Sequence, residues 1–363
     1  MLCSEESNRN IVSIPRFLNS NVPISFTPRE TMKTFKVALA GLDGQVIPDW
    51  VPKRLAEEKI AFVAKECHTR EELAEFAADA DVVWLFGGSK ILHGNLDVLP
   101  RCGAIIRTGS GTDNVPVKDA TRLHMVVANT PESLNDAVAE HAIGLMLAVI
   151  RQIALQDRKV RSGLWDRYEG FPRWHLHGQT LGLVGFGRIA RSVAKRMRGF
   201  EMNMIAFDPY VSAAVFAEYS VKQVKLEDLL ASSDFVSLHC PLTEATRHLI
   251  REPQLKLMKP TSVLVNTSRG PVVDEAALIS ALTQGWISAA GLDVLDPEPP
   301  APNNPLLKME NVVITPHLSG FSDLFLPENW RLSVESVLDL FHGKWPRSYV
   351  NPEVTPRWSL KAR

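Results

Sequence analysis

The sequence has few of the features that mark secreted, zinc-bound or membrane-spanning proteins. Its 363 residues include only four cysteines and no Cys-x-x-Cys pair. A disulfide framework or a cysteine zinc site is therefore not expected, and reduced thiols in the cytoplasm fit best. The longest apolar run, residues 142–150, is about half as long as a membrane span needs. The cysteines are Cys3, Cys67, Cys102 and Cys240.

The sequence also lacks an excess of charge of either sign. Lys and Arg number 40 against 41 Asp and Glu, which leaves a formal net charge of −1. We therefore expect no nucleic-acid partner. The short apolar runs and the scattered cysteines lead us to expect no membrane partner and no metal. Residues 1–33 are rich in Ser, Asn, Pro and Arg without periodicity, and they lack the apolar core of a signal peptide. They are predicted to be a disordered tail, with Met32 as an alternative start.

Short apolar runs alternate with helical patterns along most of the remaining chain. This alternation predicts an α/β fold built on parallel sheets. A long helix is expected over residues 133–161, between two series of strands, and a last helix over 328–341. The first series of strands is 35–41, 61–66, 81–86, 104–109 and 126–130; the second is 180–184, 203–207, 234–239, 262–266, 288–294 and 311–315.

A glycine motif opens the second series and indicates a dinucleotide site. Gly185, Gly187 and Ala190 form G-x-G-x-x-A between a β-rich run and a helical pattern. The glycines allow a tight turn and close approach of a pyrophosphate to the helix N-terminus. Asp208 follows at the end of the next strand, 21 residues after Gly187. An acid there accepts hydrogen bonds from ribose hydroxyls and repels a 2′-phosphate, which favours NAD over NADP.

Three later strands of this series end in side chains suited to hydride transfer. The strand ends deliver Arg269, Glu298 and His317 to one edge of the predicted sheet. A histidine can give a proton to a carbonyl oxygen as hydride arrives, and a carboxylate beside it orients the charged imidazole. An arginine can polarise the carbonyl or hold a carboxylate with two parallel hydrogen bonds.

With these motifs in order, the chain resembles the D-isomer-specific 2-hydroxyacid dehydrogenase family from about residue 35 to 354. The resemblance implies a flavodoxin-like substrate domain, residues 34–131 and 318–354, around an inserted Rossmann NAD-binding domain with a doubly wound parallel sheet, residues 132–317. It also implies a homodimer. The motifs that carry it include RTGSGTDNV (107–115), LGLVGFGRIA (181–190), VLVNTSRGPVVDEAALISAL (263–282), GLDVLDPEPP (291–300) and ITPHLSG (314–320).

The resemblance further implies the reaction and the residues that carry it. The expected reaction is NAD-dependent interconversion of a small D-2-hydroxy acid and its 2-keto acid. The implied catalytic residues are Arg269, Glu298 and His317. The implied substrate-binding residues are Gly87, Gly88, Gly109 and Arg269. The implied cofactor-binding residues are Thr112, Gly185, Gly187, Arg188, Ile189, Asp208, Cys240, Pro241, Thr246, Thr267, Asp293 and His317.

Related functions remain open at this stage. Formate dehydrogenases carry a glutamine at the position of Glu298, so the carboxylate favours a hydroxy acid. Phosphoglycerate dehydrogenases usually carry an arginine in the loop after the third strand, where this chain has about Phe86. Phe86 beside two glycines favours a small or moderately apolar 2-keto acid. Corepressors of the C-terminal-binding-protein type share the fold and keep the catalytic trio, so an NAD(H)-sensing scaffold is a further alternative.

Overall fold

Two parallel sheets form the framework of the computed structural model, which describes residues 34–42, 44–168 and 174–363. The expected disordered tail at residues 1–33 lies outside the described residues. The first sheet has the strand order β2-β1-β3-β4-β5, the flavodoxin-like order. Its strands are β1 Lys36–Gly41, β2 Ala61–Ala64, β3 Val82–Leu85, β4 Ala104–Arg107 and β5 Val126–Asn129, and its connecting helices are α1 Trp50–Glu57, α2 Arg70–Ala77 and α3 Val117–Arg122.

The second sheet has seven parallel strands in the order β12-β11-β10-β9-β6-β7-β8. Counted from its own first strand, this is the Rossmann order with one strand added, so the predicted fold class is confirmed. The strands are β6 Thr180–Val184, β7 Asn203–Phe207, β8 Lys222–Gln223, β9 Phe235–Leu238, β10 Val263–Asn266, β11 Ala289–Leu292 and β12 Val312–Ile314. The helices outside the first sheet's crossovers are α4 Asn135–Ile150, α5 Ile153–Arg161, α6 Arg188–Met197, α7 Ala213–Glu218, α8 Leu226–Ser232, α9 Glu252–Leu257, α10 Glu275–Gln284 and α11 Phe325–Phe341.

Sequence reasoning missed one strand and misjudged two helices. Strand β8 has only two exposed residues, too few for an alternating pattern. The single helix predicted over 133–161 is wrong: Gln152 has a φ of 56°, which ends α4, and its carbonyl accepts from the Gln156 amide to begin the next helix. Helix α11 starts at Phe325 rather than Glu328, because Pro327 sits in the first turn, where no N–H is needed.

Each sheet is covered on both faces. One core lies under β1, β3 and β4, and it receives the buried side chains of Trp330, Val334 and Val337 from α11. The end of the chain therefore returns to the first sheet after the second is complete. Residues Phe35–Arg363 form one compact unit that contains both sheets. The domain boundaries at 131–132 and 317–318 stay predictions.

Helix α4 is mostly buried between the second sheet and α6. In the part of the chain that the structure describes, no single helix has the length and apolar composition needed to cross a membrane. Helices α4 and α5 reach that length and composition only when they are counted together, across a bend of 57°.

Candidate active site

The loops that follow the parallel strands meet at the carboxyl edges of the two sheets. This edge is where open α/β sheets bind ligands. Most of the predicted site residues lie in these loops: the glycine motif after β6, Asp208 after β7, Arg269 after β10 and His317 after β12. The first sheet contributes the loop after β4, residues 108–116.

His317 and Glu298 form the hydrogen-bonded pair expected from the sequence. The Nδ1 atom of His317 lies 2.7 Å from Oε2 of Glu298. The other carboxylate oxygen accepts from the amide of Leu295 at 3.1 Å, which fixes the carboxylate plane. Burial opposes ionisation of Glu298, but the hydrogen bond and charge of His317, together with the Leu295 amide and the charge of Arg269, hold the pKa of the carboxyl below its ordinary value. An ionised carboxylate only accepts, so Nδ1 of His317 carries a proton and Nε2 is left for a substrate.

Arg269 reaches from the second sheet to the loop of the first. Its Nε and Nη2 atoms both lie 3.0 Å from Oδ1 of Asp113, and its Nη1 atom donates to the carbonyl of Ser268. Burial raises the pKa of Asp113, but the charges of Arg269 and Arg107 and the hydrogen bonds to the carboxylate together outweigh this effect, and the pKa lies below its ordinary value. A Cβ atom added at Gly111 would come within 1.8 Å of Nη2 of Arg269. The absence of a side chain at Gly111 therefore makes room for the guanidinium.

Asp293 follows β11, and the loop that carries His317 after β12 donates hydrogen bonds to it. Its side chain is fully buried, and its two carboxylate oxygens accept from the amides of Leu318 and Ser319 at 2.9 Å. His317 has a φ of 52°, a left-handed conformation that costs a non-glycine residue of order 1–3 kcal/mol. The bonds to Asp293 offset this cost. The resemblance implied a nicotinamide contact for Asp293, and the structure shows a structural role beside it.

The glycine loop has the geometry of a phosphate site. Gly185 has a φ of 84°, and a Cβ there would lie 2.8 Å from the amide nitrogen of Cys240. Gly187 is the N-cap of α6, and a Cβ there would meet nothing within 4 Å. The positive end of α6 thus faces open space, as an anion requires. Arg188 and Ile189 form the first turn of α6, with Arg188 exposed and Ile189 half-buried.

Asp208 directly follows β7, and its carboxylate shapes the glycine loop. One carboxylate oxygen accepts from the amide of Phe186 at 2.8 Å, and the other accepts from Tyr210 and Val211. A carboxylate has about four acceptor positions, so Asp208 keeps capacity for a ribose hydroxyl.

The loops after β9 and β10 complete this edge. The Cys240 thiol is buried, and burial raises its pKa to about 11. Pro241 is exposed, and its carbonyl accepts from Thr246 Oγ1 at 2.5 Å. Thr267 Oγ1 and His239 Nδ1 are buried without a hydrogen-bond partner. Because Leu238 pairs with Asn266 in the sheet, these two unpaired atoms follow neighbouring strands at the same level.

These features fit a dinucleotide. The open cradle at Gly187 would receive the phosphates, and the unpaired polar atoms after β9 and β10 can hydrogen-bond a hydroxyl-rich ligand. Burial lowers the pKa of His239 to about 4, so its imidazole is neutral at physiological pH. Among residues 34–42, 44–168 and 174–363, no three His, Cys, Asp or Glu side chains are grouped so that they could hold a metal ion.

The first sheet carries the loops that were predicted to bind substrate, but Gly109 and Phe86 do not have the roles expected for them. The amide of Gly109 already donates to Thr130 Oγ1 at 2.6 Å, so in this structure it is not available to a substrate carboxylate. Phe86 is only 3% exposed, and its ring packs 4.8 Å from that of Trp330. It therefore belongs to the core, and it does not support the expected preference for an apolar substrate.

The two remaining substrate-loop glycines differ, because Gly87 is half-buried and Gly88 is exposed. Gly87 has a φ of 70°, and Gly88 is exposed, with nothing within 4 Å of an added Cβ. The loop is held by Asn114, whose Nδ2 donates to the carbonyls of Gly87 and Ser89. Thr112 is half-buried in the next loop, and its carbonyl accepts from Val115.

Sequence reasoning missed three residues that hold the site together: Asp113, Asn114 and Thr315. Asp113 and Asn114 stand inside the quoted motif RTGSGTDNV, so a signal was present. Their partners were not visible, because Asp113 and Arg269 are 156 positions apart. Thr315 immediately precedes the Pro-His pair, and nothing in the sequence indicates that its hydroxyl faces Asp293.

Comparisons with known proteins show which family the chain is similar to. Residues 143–319 match the sequence model described as D-isomer specific 2-hydroxyacid dehydrogenase, NAD binding domain. The chain is 42% identical to a glyoxylate reductase of Korarchaeum cryptofilum over 266 residues, which cover 71% of this chain and 79% of that protein. It is 38% identical to a D-3-phosphoglycerate dehydrogenase of Methanocaldococcus jannaschii over 80% of this chain, but it spans only 56% of that protein.

Solved structures give the same result. A glyoxylate reductase from Paecilomyes thermophila has a TM-score of 0.80 and 27% identity, over 89% of this chain and 99% of that one. An NADPH-dependent glyoxylate/hydroxypyruvate reductase from Sinorhizobium meliloti has a TM-score of 0.78 and 28% identity, over 90% and 99%. The chain therefore belongs to the D-isomer-specific 2-hydroxyacid dehydrogenase family, and it is a nicotinamide-dinucleotide-dependent dehydrogenase acting on CH–OH groups.

Proposed function

We propose that the chain interconverts a small 2-keto acid, of the glyoxylate or hydroxypyruvate type, and the corresponding D-2-hydroxy acid. The observation that carries this proposal is the 2.7 Å pairing of His317 with Glu298 at the sheet edge that also holds Arg269. The relatives named glyoxylate reductase support the substrate class.

The residues of the site divide the chemistry between them. A bound reduced nicotinamide dinucleotide supplies the hydride that reaches the carbonyl carbon. His317 holds a proton at Nε2 and gives it to the carbonyl oxygen, and it takes the proton back in the oxidative direction. Glu298 orients the imidazole and stabilises its charged form. Arg269 has further N–H groups beyond those used by Asp113 and Ser268, and these bind the substrate carboxylate or polarise its carbonyl.

The proposed substrate loop is Gly87–Gly88, in which Gly88 is exposed and has nothing within 4 Å of an added Cβ. A phosphorylated substrate is the second candidate, because a phosphoglycerate dehydrogenase is among the relatives. Against it, the position expected for a phosphate-binding arginine is occupied by Phe86, whose ring is buried. The exposed Lys90 is a cation in the same loop, so 3-phosphohydroxypyruvate belongs in any substrate panel.

We propose NAD as the preferred cofactor, held by Thr112, the glycine loop with Arg188 and Ile189, and the residues that follow β7, β9, β10 and β11. Asp208 is the discriminating residue, since its negative charge repels a 2′-phosphate. We expect Asp208→Ser to raise the ratio of NADPH to NADH activity by about tenfold or more, as the removal of one charge repulsion allows. Steady-state kinetics with both cofactors measure this ratio. An unchanged ratio would mean that another residue reads the ribose.

We also propose the two-domain arrangement, with residues 34–131 and 318–354 closing on residues 132–317. The packing of α11 on the first sheet supports it, as does the Asp113–Arg269 ion pair between loops of the two sheets. Closure would exclude water from the reaction.

A homodimer is proposed on the exposed apolar side chains of α5 and the loop after it. Trp165 is 80% exposed, and Ile153, Val160 and Leu164 lie beside it in sequence with about half of their surface exposed. Light scattering would give twice the chain mass of 40.3 kDa for a dimer, and Trp165→Glu would lower the measured mass.

A cytoplasmic location is also proposed, because it fits the free thiols of Cys67, Cys102 and Cys240.

The test of the proposed function is oxidation of NADH with a panel of 2-keto acids, including glyoxylate, hydroxypyruvate, pyruvate and 3-phosphohydroxypyruvate. We expect turnover with glyoxylate or hydroxypyruvate, and a lower kcat/KM with the phosphorylated acid. Turnover of the phosphorylated acid alone would favour the second candidate. NADH binding without turnover of any acid would favour the NAD(H)-sensing scaffold.

A further inference from the structure

The backbone of the catalytic histidine's loop is hydrogen-bonded to one buried residue, Asp293. The amide of His317 donates to the carbonyl of Asp293 at 2.8 Å, and the next two amides donate to its carboxylate. Three successive N–H groups, those of residues 317–319, therefore converge on Asp293. The orientation of the His317 ring depends on where Asp293 is held.

Asp293 is held in turn by Thr315. The hydroxyl of Thr315 donates to Oδ1 of Asp293 at 2.6 Å. Thr315 has a single hydroxyl proton, and the carboxylate takes it. The Thr315 oxygen must therefore act as an acceptor in its second contact, which is with Nε2 of His141 at 2.9 Å. Nε2 of His141 therefore carries a proton and donates it to the Thr315 oxygen.

His141 connects this chain of bonds to a rigid element. It lies on α4, in the half nearer to the helix start, and its side chain is 23% exposed. Its Nε2 atom is also 3.6 Å from Oδ1 of Asp293. The neighbouring Ala139, Ala142 and Leu145 are buried in the core against the sheet, so α4 gives His141 a fixed position. The bonds run without a gap from α4 to the backbone of His317.

We propose that His141 and Thr315 are positioning residues for proton transfer: they fix Asp293, and through it the left-handed backbone of His317. The inference rests on the proposed function, in which His317 carries the proton. Neither residue need touch substrate. Both residues are required because the buried Asp293 carboxylate, if it loses a hydrogen-bond donor, can rotate or accept a hydrogen bond from water instead. Either change would break its hydrogen bonds with the amides of residues 318 and 319.

Two pairs of variants separate the hydrogen bonds from packing. Thr315→Val removes the hydroxyl and keeps the shape, while Thr315→Ser keeps the hydroxyl. His141→Leu removes the donor, while His141→Gln keeps an N–H at nearly the place of Nε2. We expect kcat for keto-acid reduction to fall roughly tenfold or more in Thr315→Val and His141→Leu, as loss of a bond to a charged group implies. The Ser and Gln variants should retain most of the activity, and the fluorescence-titrated Kd for NADH should change little in all four.

The decisive comparison repeats Thr315→Val in the His317→Asn background. If Thr315 acts only through His317, the second substitution lowers the residual rate no further, because groups that act as a unit are not additive. The same fold loss in both backgrounds would overturn the proposal, as would equal activity of the Val and Ser variants. If Thr315→Val does not fold, the same comparison is made with His141→Leu and His141→Gln. A wild-type protein that reduces no keto acid would instead refute the proposed function, so the two failures are distinguishable.

Discussion

Replacing Glu298 with glutamine measures what the charge beside His317 contributes to the reaction. The carboxylate accepts two hydrogen bonds, one from Nδ1 of His317 at 2.7 Å and one from the Leu295 amide at 3.1 Å. Glutamine has the same shape but no charge, and its single amide oxygen can accept only one of these two hydrogen bonds with good geometry. The substitution therefore weakens the contact with His317 while leaving the loop volume unchanged.

The size of the effect follows from the exposure of the pair. A hydrogen bond to a charged group contributes about 1.5–3 kcal/mol. The side chains of His317 and Glu298 are 44% and 38% exposed, so solvent screening favours the lower end. A barrier raised by about 1.5 kcal/mol lowers kcat roughly tenfold. The pKa of Glu298 lies below its ordinary value of 4.5, so the charge is present above that pH and is lost as the pH falls through the lowered pKa.

Steady-state kinetics at pH 6 to 8, with saturating NADH and the best keto acid, give the required numbers. We expect Glu298→Gln to lower kcat about tenfold across this range, with little change in the Kd for NADH. Glu353→Gln, an exposed residue near the C-terminus, is the matched control and should behave as the wild type. A kcat for Glu298→Gln equal to that of the control would refute the role assigned to the carboxylate.

Two further predictions concern close contacts and burial. In Gly111→Ala the new Cβ would lie 1.8 Å from Nη2 of Arg269, so the guanidinium must move. We expect kcat/KM for the keto acid to fall at least roughly tenfold, while NADH still binds. An unchanged kcat/KM would mean that Arg269 does not act on the substrate from this position. The pKa of the Cys240 thiol is raised to about 11, so only roughly one molecule in a thousand carries the thiolate at pH 8. Peptide mass analysis should find slow alkylation by iodoacetamide that accelerates with pH, and rapid labelling at pH 8 would contradict the burial.

The sequence predicts the sheets well because most of their strands are buried on both faces. Such strands read as continuous apolar runs, and eleven of the twelve strands that the structure describes were located from apolar runs alternating with helical patterns. The exposed two-residue strand β8 carries no such signal. The break at Gln152 was hidden because a left-handed residue other than glycine or asparagine leaves no mark in the sequence.

The site was predictable in its residue types but not in its contacts. The strand ends place Arg269, Glu298 and His317 at one edge of the sheet. Among their contacts, only the His317–Glu298 pair could be predicted, because a carboxylate beside a histidine orients the charged imidazole. The Arg269–Asp113 pair joins loops of two different sheets. Its two residues are too far apart in the sequence for motif spacing to predict their contact. The position of Phe86 could have been read correctly. It lies two residues after the buried Trp84, and alternation along a strand puts both on one face.

The most direct test of the account is single-turnover reduction of a keto acid by NADH-loaded His317→Asn protein, compared with the wild type. The account predicts an unchanged Kd for NADH and hydride transfer slowed at least roughly hundredfold, as loss of a general acid implies. Hydride transfer at the wild-type rate would contradict the assignment of His317 as the proton donor.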